Sequence, residues 1–157
     1  IFAKGLYLIV PIASNDGAEL VLSDGSRICS SALAKMLSGH QELWLAAATV
    51  GPAISELSNN YFATKQAAAA TICDAVGSEC ADAAMDFLQN YASSQLKRSA
   101  RFLSKRRFSP GYADLSLEVQ KDFFRWLELT SFGMELNESF QLIPEKSVTA
   151  FAGIMLS

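Results

Sequence analysis

The stretch Thr64 to Leu96 reads TKQAAAATICDAVGSECADAAMDFLQNYASSQL, and its reading decides the architecture. Alanine is the strongest helix former and no proline interrupts the run. Ala69, Ile72, Val76, Ala83, Phe87 and Tyr91 recur at threes and fours, which predicts one long helix with that face turned into the core, the central buried helix of the molecule. Gly77 lies inside it and costs ~1 kcal/mol relative to alanine in a continuous helix. Such a glycine points to close packing against a neighbour or a ligand; an alanine-rich helix also packs closely with no ligand at all.

Outward from the helix, the chain turns to strand patterns. Leu6 to Ile12 and Ala18 to Leu22 are rich in β-formers and are separated by the turn residues Ser14-Asn15-Asp16-Gly17, so they predict a hairpin. Ser30 and Ser31 precede Leu33, Met36 and Leu37, the mark of a short capped helix that Gly39 stops. Leu43 to Val50 is an apolar run of buried-strand length, and Gly51-Pro52 opens a helix from Ala53 to about Tyr61. Beyond the long helix, Lys97 to Arg107 is basic and aperiodic. A helix is expected from about Leu117 to Leu129, with Val119, Phe123, Trp126 and Leu127 on one face. Glu138 to Leu142 reads as extended and Val148 to Leu156 as a final apolar strand. Strands and helices mix without a βαβ rhythm, so the class is α+β.

With 157 residues, half of them hydrophobic and 18% charged, the chain can build one compact core. A formal charge of -3 argues against nucleic acid as the main partner. No segment reaches the ~18 apolar residues of a membrane span, and a cytoplasmic location is expected. The three cysteines form no disulfide framework. Cys73 and Cys80, seven apart, share a helix face as small buried side chains or, in the alternative, as a metal or redox pair. His40 falls in the polar connection Ser38-Gly39-His40-Gln41 and is read as a solvated loop histidine. The chain begins with Ile1 rather than Met, so it is expected to start inside a longer protein.

No Gly-x-Ser-x-Gly elbow, phosphate loop or dinucleotide glycine triplet occurs, which argues against a self-sufficient hydrolase or kinase. One segment stands out: Arg107-Phe108-Ser109-Pro110-Gly111-Tyr112. Pro110 fixes φ, Gly111 accepts a positive φ, and a ligand can approach that backbone because glycine lacks a Cβ. Arg107 offers a planar fork for a carboxylate, and Tyr112 adds an aromatic face and a hydroxyl. The set suits a small zwitterion with an α-carboxylate and a positive centre. An arginine beside a Pro-Gly turn is also a common surface loop.

Four segments in order resemble the activation domain of cobalamin-dependent methionine synthase and its stand-alone relatives. They are Ala48-Thr49-Val50-Gly51-Pro52, Asp74-Ala75-Val76-Gly77-Ser78-Glu79, Arg107 through Tyr112, and Leu136-Asn137-Glu138-Ser139-Phe140 with the downstream Pro144 and Ser147-Val148-Thr149. Together they span most of the chain from about residue 43, and the Arg-x-x-Pro-Gly-Tyr loop is the most specific. The resemblance implies a single α+β activation-type domain over residues 1–157, truncated at its N-terminus and short at its C-terminus, with a small sheet, a long central alanine-rich helix and peripheral helices.

It further implies S-adenosylmethionine as the bound ligand. Arg107 would clamp the methionyl carboxylate, Ser109 and Gly111 would supply backbone, and Tyr112 would face the methyl-transfer centre or the corrinoid. Glu79 is nominated as the carboxylate from the long helix, and Glu138 as a ligand contact or a structural group. The function implied is reductive reactivation of a corrinoid protein, methionine synthase above all, by methyl transfer coupled to one-electron reduction from a flavodoxin-like donor. No Asp-x-His-x-x-Gly cobalt-ligating segment is present, so cobalamin would arrive on a partner: a corrinoid-binding protein, or a methionine synthase lacking its own activation domain. Such a role works by positioning and needs no catalytic side chain. The basic stretch from Lys97 to Arg107 would then meet an acidic electron donor or the corrinoid phosphate, or is ordinary surface charge. The alternative is an interaction subunit of a corrinoid methyltransferase complex that no longer binds the nucleotide.

Overall fold

The computed structural model describes residues 2–157. The chain runs β1 (Lys4–Asn15), β2 (Glu19–Leu22), β3 (Arg27–Cys29), α1 (Ser31–Met36), β4 (Glu42–Thr49), α2 (Ala53–Ala63), α3 (Ala67–Lys97), β5 (Arg101–Leu103), α4 (Gln120–Leu127), β6 (Glu135–Leu136), β7 (Leu142–Ile143) and β8 (Ser147–Leu156). Six strands form one sheet in the order β3-β2-β1-β4-β8-β5, antiparallel throughout; β6 and β7 make a separate ribbon.

Strand β4 is the axis of the molecule. Side chains alternate across a strand, and both sets on β4 are apolar, so it is covered on both faces. Leu43, Leu45 and Ala47 join a core with α1, α4, β2, β3, Phe108 and Phe151. Trp44, Ala46 and Ala48 face the other way and meet Ala150 and Ala152 of β8 and Met85, Ala92 and Leu96 of α3. The α+β class expected from the sequence is the class observed, with the long helix on one face of the sheet and α1, α4 and the ribbon on the other.

The buried face of α3 is not the expected one. Ala70, Gly77, Ala81, Met85, Gln89, Ala92 and Leu96 point inward. Ile72 and Phe87 are instead 64% and 73% exposed, and Val76, Tyr91 and Ala83 are exposed as well. The reason is steric: the sheet beneath α3 presents alanines, and a helix settles closest on such a surface through its own smallest residues, which sends the bulky ones outward. Gly77 is packed closely as well, against α2 and the residue before β8: a Cβ there would lie 2.9 Å from Ile54 Cγ2 and 3.0 Å from Lys146 Cγ. Its neighbours are protein side chains.

Several boundaries also differ. The predicted long helix breaks at its start, where Lys65 takes φ 60 and separates α2 from α3. Three short strands, β3, β5 and β6, were not expected; β5 sits inside the basic stretch because its backbone pairs with the end of β8. The expected helix from Leu117 begins as a 3-10 turn, Leu117–Val119, and α4 ends at Glu128 in the left-handed conformation. Glu138 to Leu142 is mostly a turn rather than a strand. Asn137 Oδ1 accepts the backbone N–H groups of Ser139 and Gln141, both at 2.9 Å, and folds the chain back between β6 and β7. His40 is half-buried rather than solvated, its ring lying over Gly153, where a Cβ would be 2.3 Å away.

Candidate functional site

The Arg107–Tyr112 loop is held at the β8 side of the sheet. Phe108 N–H donates to Phe151 O at 2.9 Å and Phe151 N–H donates back to Phe108 O at 2.8 Å. That bridge buries Phe108 and fixes where the chain on either side of it can go. The loop then closes on itself: Gly111 N–H donates to Leu115 O at 2.8 Å, and Tyr112 N–H to Ser109 O at 3.2 Å. Gly111 has φ 85, a conformation that L side chains rarely adopt, and a Cβ there would approach Leu117 Cδ1 to 3.2 Å. Glycine is therefore required by the turn itself.

Arg107 reaches across to α3. Its Nη1 donates to Asp86 Oδ1 at 2.5 Å and to Gln89 Oε1 at 2.9 Å. Gln89 in turn donates from Nε2 to Ser104 O at 2.7 Å, so one buried amide orients the fork and ties α3 to the basic stretch. The Arg107 side chain is 25% exposed and that of Asp86 63% exposed, which makes this a surface pair rather than one locked in the core. Among the described residues both of its side-chain bonds run through Nη1, which leaves Nε and Nη2 as further donors.

Asp86 and Gln89 also line a cleft of 460 Å³ together with Asn90, Lys97, Ser104 and Lys105. Two of the six basic residues of the Lys97–Arg107 stretch thus border it, while Arg101 is committed to Glu42 through Nε at 2.8 Å and Nη2 at 2.7 Å. Tyr112 is 68% exposed. Its ring stands edge-on to Phe108 at 5.4 Å, so the phenol projects into solvent beside the loop.

The loop continues into Asp114, which caps α1. Its carboxylate accepts Ser30 Oγ–H at 2.5 Å, Ser31 N–H at 2.7 Å and Ala32 N–H at 3.2 Å. The bond from Ser30, helped by those two backbone groups, holds the Asp114 carboxyl below the ordinary aspartate value.

The two nominated glutamates stand apart from the fork. Glu79 is exposed on α3, seven residues before Asp86, or ~10 Å along a helix that rises ~1.5 Å per residue. Glu138 is exposed in the turn between β6 and β7, beside a cleft of 660 Å³ lined by Gln120, Asn137 and Phe140. Among the described residues neither pairs with Arg107; the carboxylate that does is Asp86. Asp86 and Gln89 were missed from sequence, although their i, i+3 spacing sets them side by side on α3. Among the described residues no group of three or more His, Cys, Asp or Glu is placed to hold a metal ion, and Cys73 and Cys80 pack, half-buried, against Val50, Ile54 and Ala81.

Comparison with solved structures decides the architecture. The chain matches the crystal structure of the MetH reactivation domain bound to AdoHcy with a TM-score of 0.70 at 16% identity, over 96% of this chain and 58% of that one. The chain has the reactivation-domain fold. It spans little more than half the length of the solved chain. No family model matches the sequence, and no curated protein does. The activation-domain architecture expected from the four motifs is thus the one observed. Among the described residues no helix is long and apolar enough to cross a membrane.

Proposed function

We propose that this reactivation-type domain binds S-adenosylmethionine along the Arg107–Tyr112 loop and presents its methyl group to a corrinoid carried by a partner protein, methionine synthase above all. The observation that carries the reading is the pairing of a reactivation-domain fold, solved elsewhere with AdoHcy, with a partly exposed arginine fork beside a cleft. When bound, the sulfonium would supply a methyl group to a corrinoid reduced by one electron from a flavodoxin-like donor, its S–CH3 bond breaking to leave the thioether S-adenosylhomocysteine.

The chain's own residues suit a zwitterion. Arg107 offers Nε and Nη2 to an α-carboxylate. Asp86, exposed and acidic, offers its oxygens to an α-ammonium. Exchanging a surface ion pair for a ligand's charges costs little, because such pairs are worth about 0–1 kcal/mol. Lys97 and Lys105, on the same cleft, suit the anionic face of an electron donor or the phosphate of the corrinoid.

Titration calorimetry tests the ligand. Arg107→Ala should weaken S-adenosylmethionine binding by about 1.5–3 kcal/mol, the worth of a charged hydrogen bond, or roughly ten- to a hundredfold in Kd. Equal affinity in the two proteins removes Arg107 from the site. One observation favours a second reading: the fork already has a carboxylate partner in Asp86. A domain that keeps this pair permanently is an interaction subunit of a corrinoid methyltransferase complex. It would give no heat with S-adenosylmethionine and still capture a corrinoid protein.

A further inference from the structure

The turn between β6 and β7, the 3-10 turn before α4 and the start of β8 border the cleft of 660 Å³, a size usual for a small-molecule site. Much of its wall is apolar, formed by Leu117, Phe140, Leu142 and Ile143. The turn that carries Phe140 is braced by Asn137, whose side-chain amide makes three bonds within it, so this wall is preformed. Gln120 is the most buried residue on the cleft, only 5% exposed. Its Oε1 accepts Thr149 Oγ–H at 2.8 Å, and among the described residues its Nε2 has no partner. Folded proteins rarely leave a buried amide donor without an acceptor, because its lost hydration is then uncompensated. Gln141, on the same cleft, repeats the arrangement: its Oε1 accepts Asn137 Nδ2–H at 2.9 Å, and its Nε2 is unpartnered among the described residues. The one charged side chain on the lining is that of Glu145, 68% exposed.

We propose that this cleft binds a neutral, planar ring bearing a carbonyl or carboxamide, its oxygen accepting from Gln120 Nε2 and its ring lying against Leu117, Phe140 and Ile143. Three features select that class. The unpaired groups, Gln120 Nε2 and Gln141 Nε2, are donors, so the ligand must bring acceptors, and an ammonium would meet them donor to donor. The charge on the lining is a carboxylate, which repels carboxylates and phosphates. The aliphatic and aromatic wall matches a flat apolar body whose polar atoms lie at one edge. This cleft shares no residue with the one beside Arg107, so neither reading rests on the other.

Nicotinamide and nicotinate test this on the full chain, since they share one ring and differ in a neutral amide against a carboxylate. In heteronuclear NMR of the isotope-labelled protein, nicotinamide should saturably shift the side-chain N–H signals of Gln120 and the backbone signals of Phe140 and Gln141, with a Kd in the millimolar range expected of so small a molecule. Nicotinate should bind roughly tenfold more weakly, the carboxylate of Glu145 opposing it. Gln120→Glu keeps the shape and an oxygen for Thr149 but turns the free donor into an acceptor; it should weaken nicotinamide roughly tenfold or more. Ile143→Ala trims the wall at a position 45% exposed and should weaken nicotinamide severalfold, which decides the matter if Gln120→Glu does not fold. No saturable shift, an affinity that either folded variant leaves unchanged, or nicotinate bound as tightly as nicotinamide overturns the proposal.

Discussion

At the scale of single residues, charge is handled by short polar contacts near the surface. Asp114 is the clearest case. Three donors hold its carboxyl low, so its contribution to stability is complete above the ordinary aspartate value of 3.8 and disappears as pH falls from there through the lowered value in the folded state. Urea midpoints measured across that acid window should fall in the wild type and fall less steeply in Asp114→Asn. Parallel curves would show that the carboxylate contributes no folding energy. The same bonds tie the end of the Pro-Gly loop to the first turn of α1, joining parts of the chain more than eighty residues apart. Lys146, only 8% exposed at its side chain, is handled similarly, with Asp74 at 2.6 Å and Ser78 Oγ at 3.1 Å.

At the scale of elements, α3 has two apolar faces with opposite uses. The small face lies against the alanines of β4 and β8; the large face, with Ile72, Val76, Phe87 and Tyr91, is left in solvent. Helix propensity and packing therefore pull in opposite directions at Gly77. Alanine there gains ~1 kcal/mol of helix propensity but meets Ile54 Cγ2 at 2.9 Å and Lys146 at 3.0 Å. Neither can yield easily, since Ile54 is β-branched and stiff and Lys146 is anchored by Asp74. Overpacking of this kind costs about 1–3 kcal/mol. Gly77→Ala should therefore lower the unfolding free energy by about 1 kcal/mol, or Tm by roughly 2–4 °C for a domain of this size. A gain in Tm would mean that Ile54 and Lys146 yield to the added methyl group.

At the scale of the whole molecule, ligand and fold are linked. A ligand that binds only the folded state adds RT ln(1 + [L]/Kd), so S-adenosylmethionine at 100 times its Kd should raise the unfolding free energy by about 2.7 kcal/mol. A melting temperature that ignores the nucleotide at every concentration would favour the interaction-subunit reading. Much of the architecture was legible from the residues alone. The hairpin of β1 and β2, the buried run of β4, α2 opening after Pro52 and the last strand were all readable, because propensity, turn chemistry and hydrophobic period act locally. The loop Arg107–Tyr112 could be singled out because proline and glycine carry their conformational meaning with them. The burial of α3 could not be read: its two faces are both apolar by composition, and only the alanine surface of β4 and β8 decides which one it accepts. Nor could the partners of Arg107 be read, because Asp86 and Gln89 meet it only after the bridge between Phe108 and Phe151 has brought the loop to the helix. Local preferences are properties of neighbouring residues and survive in a linear string; which surfaces meet depends on shape complementarity between distant elements, and that exists only once the chain has closed on itself.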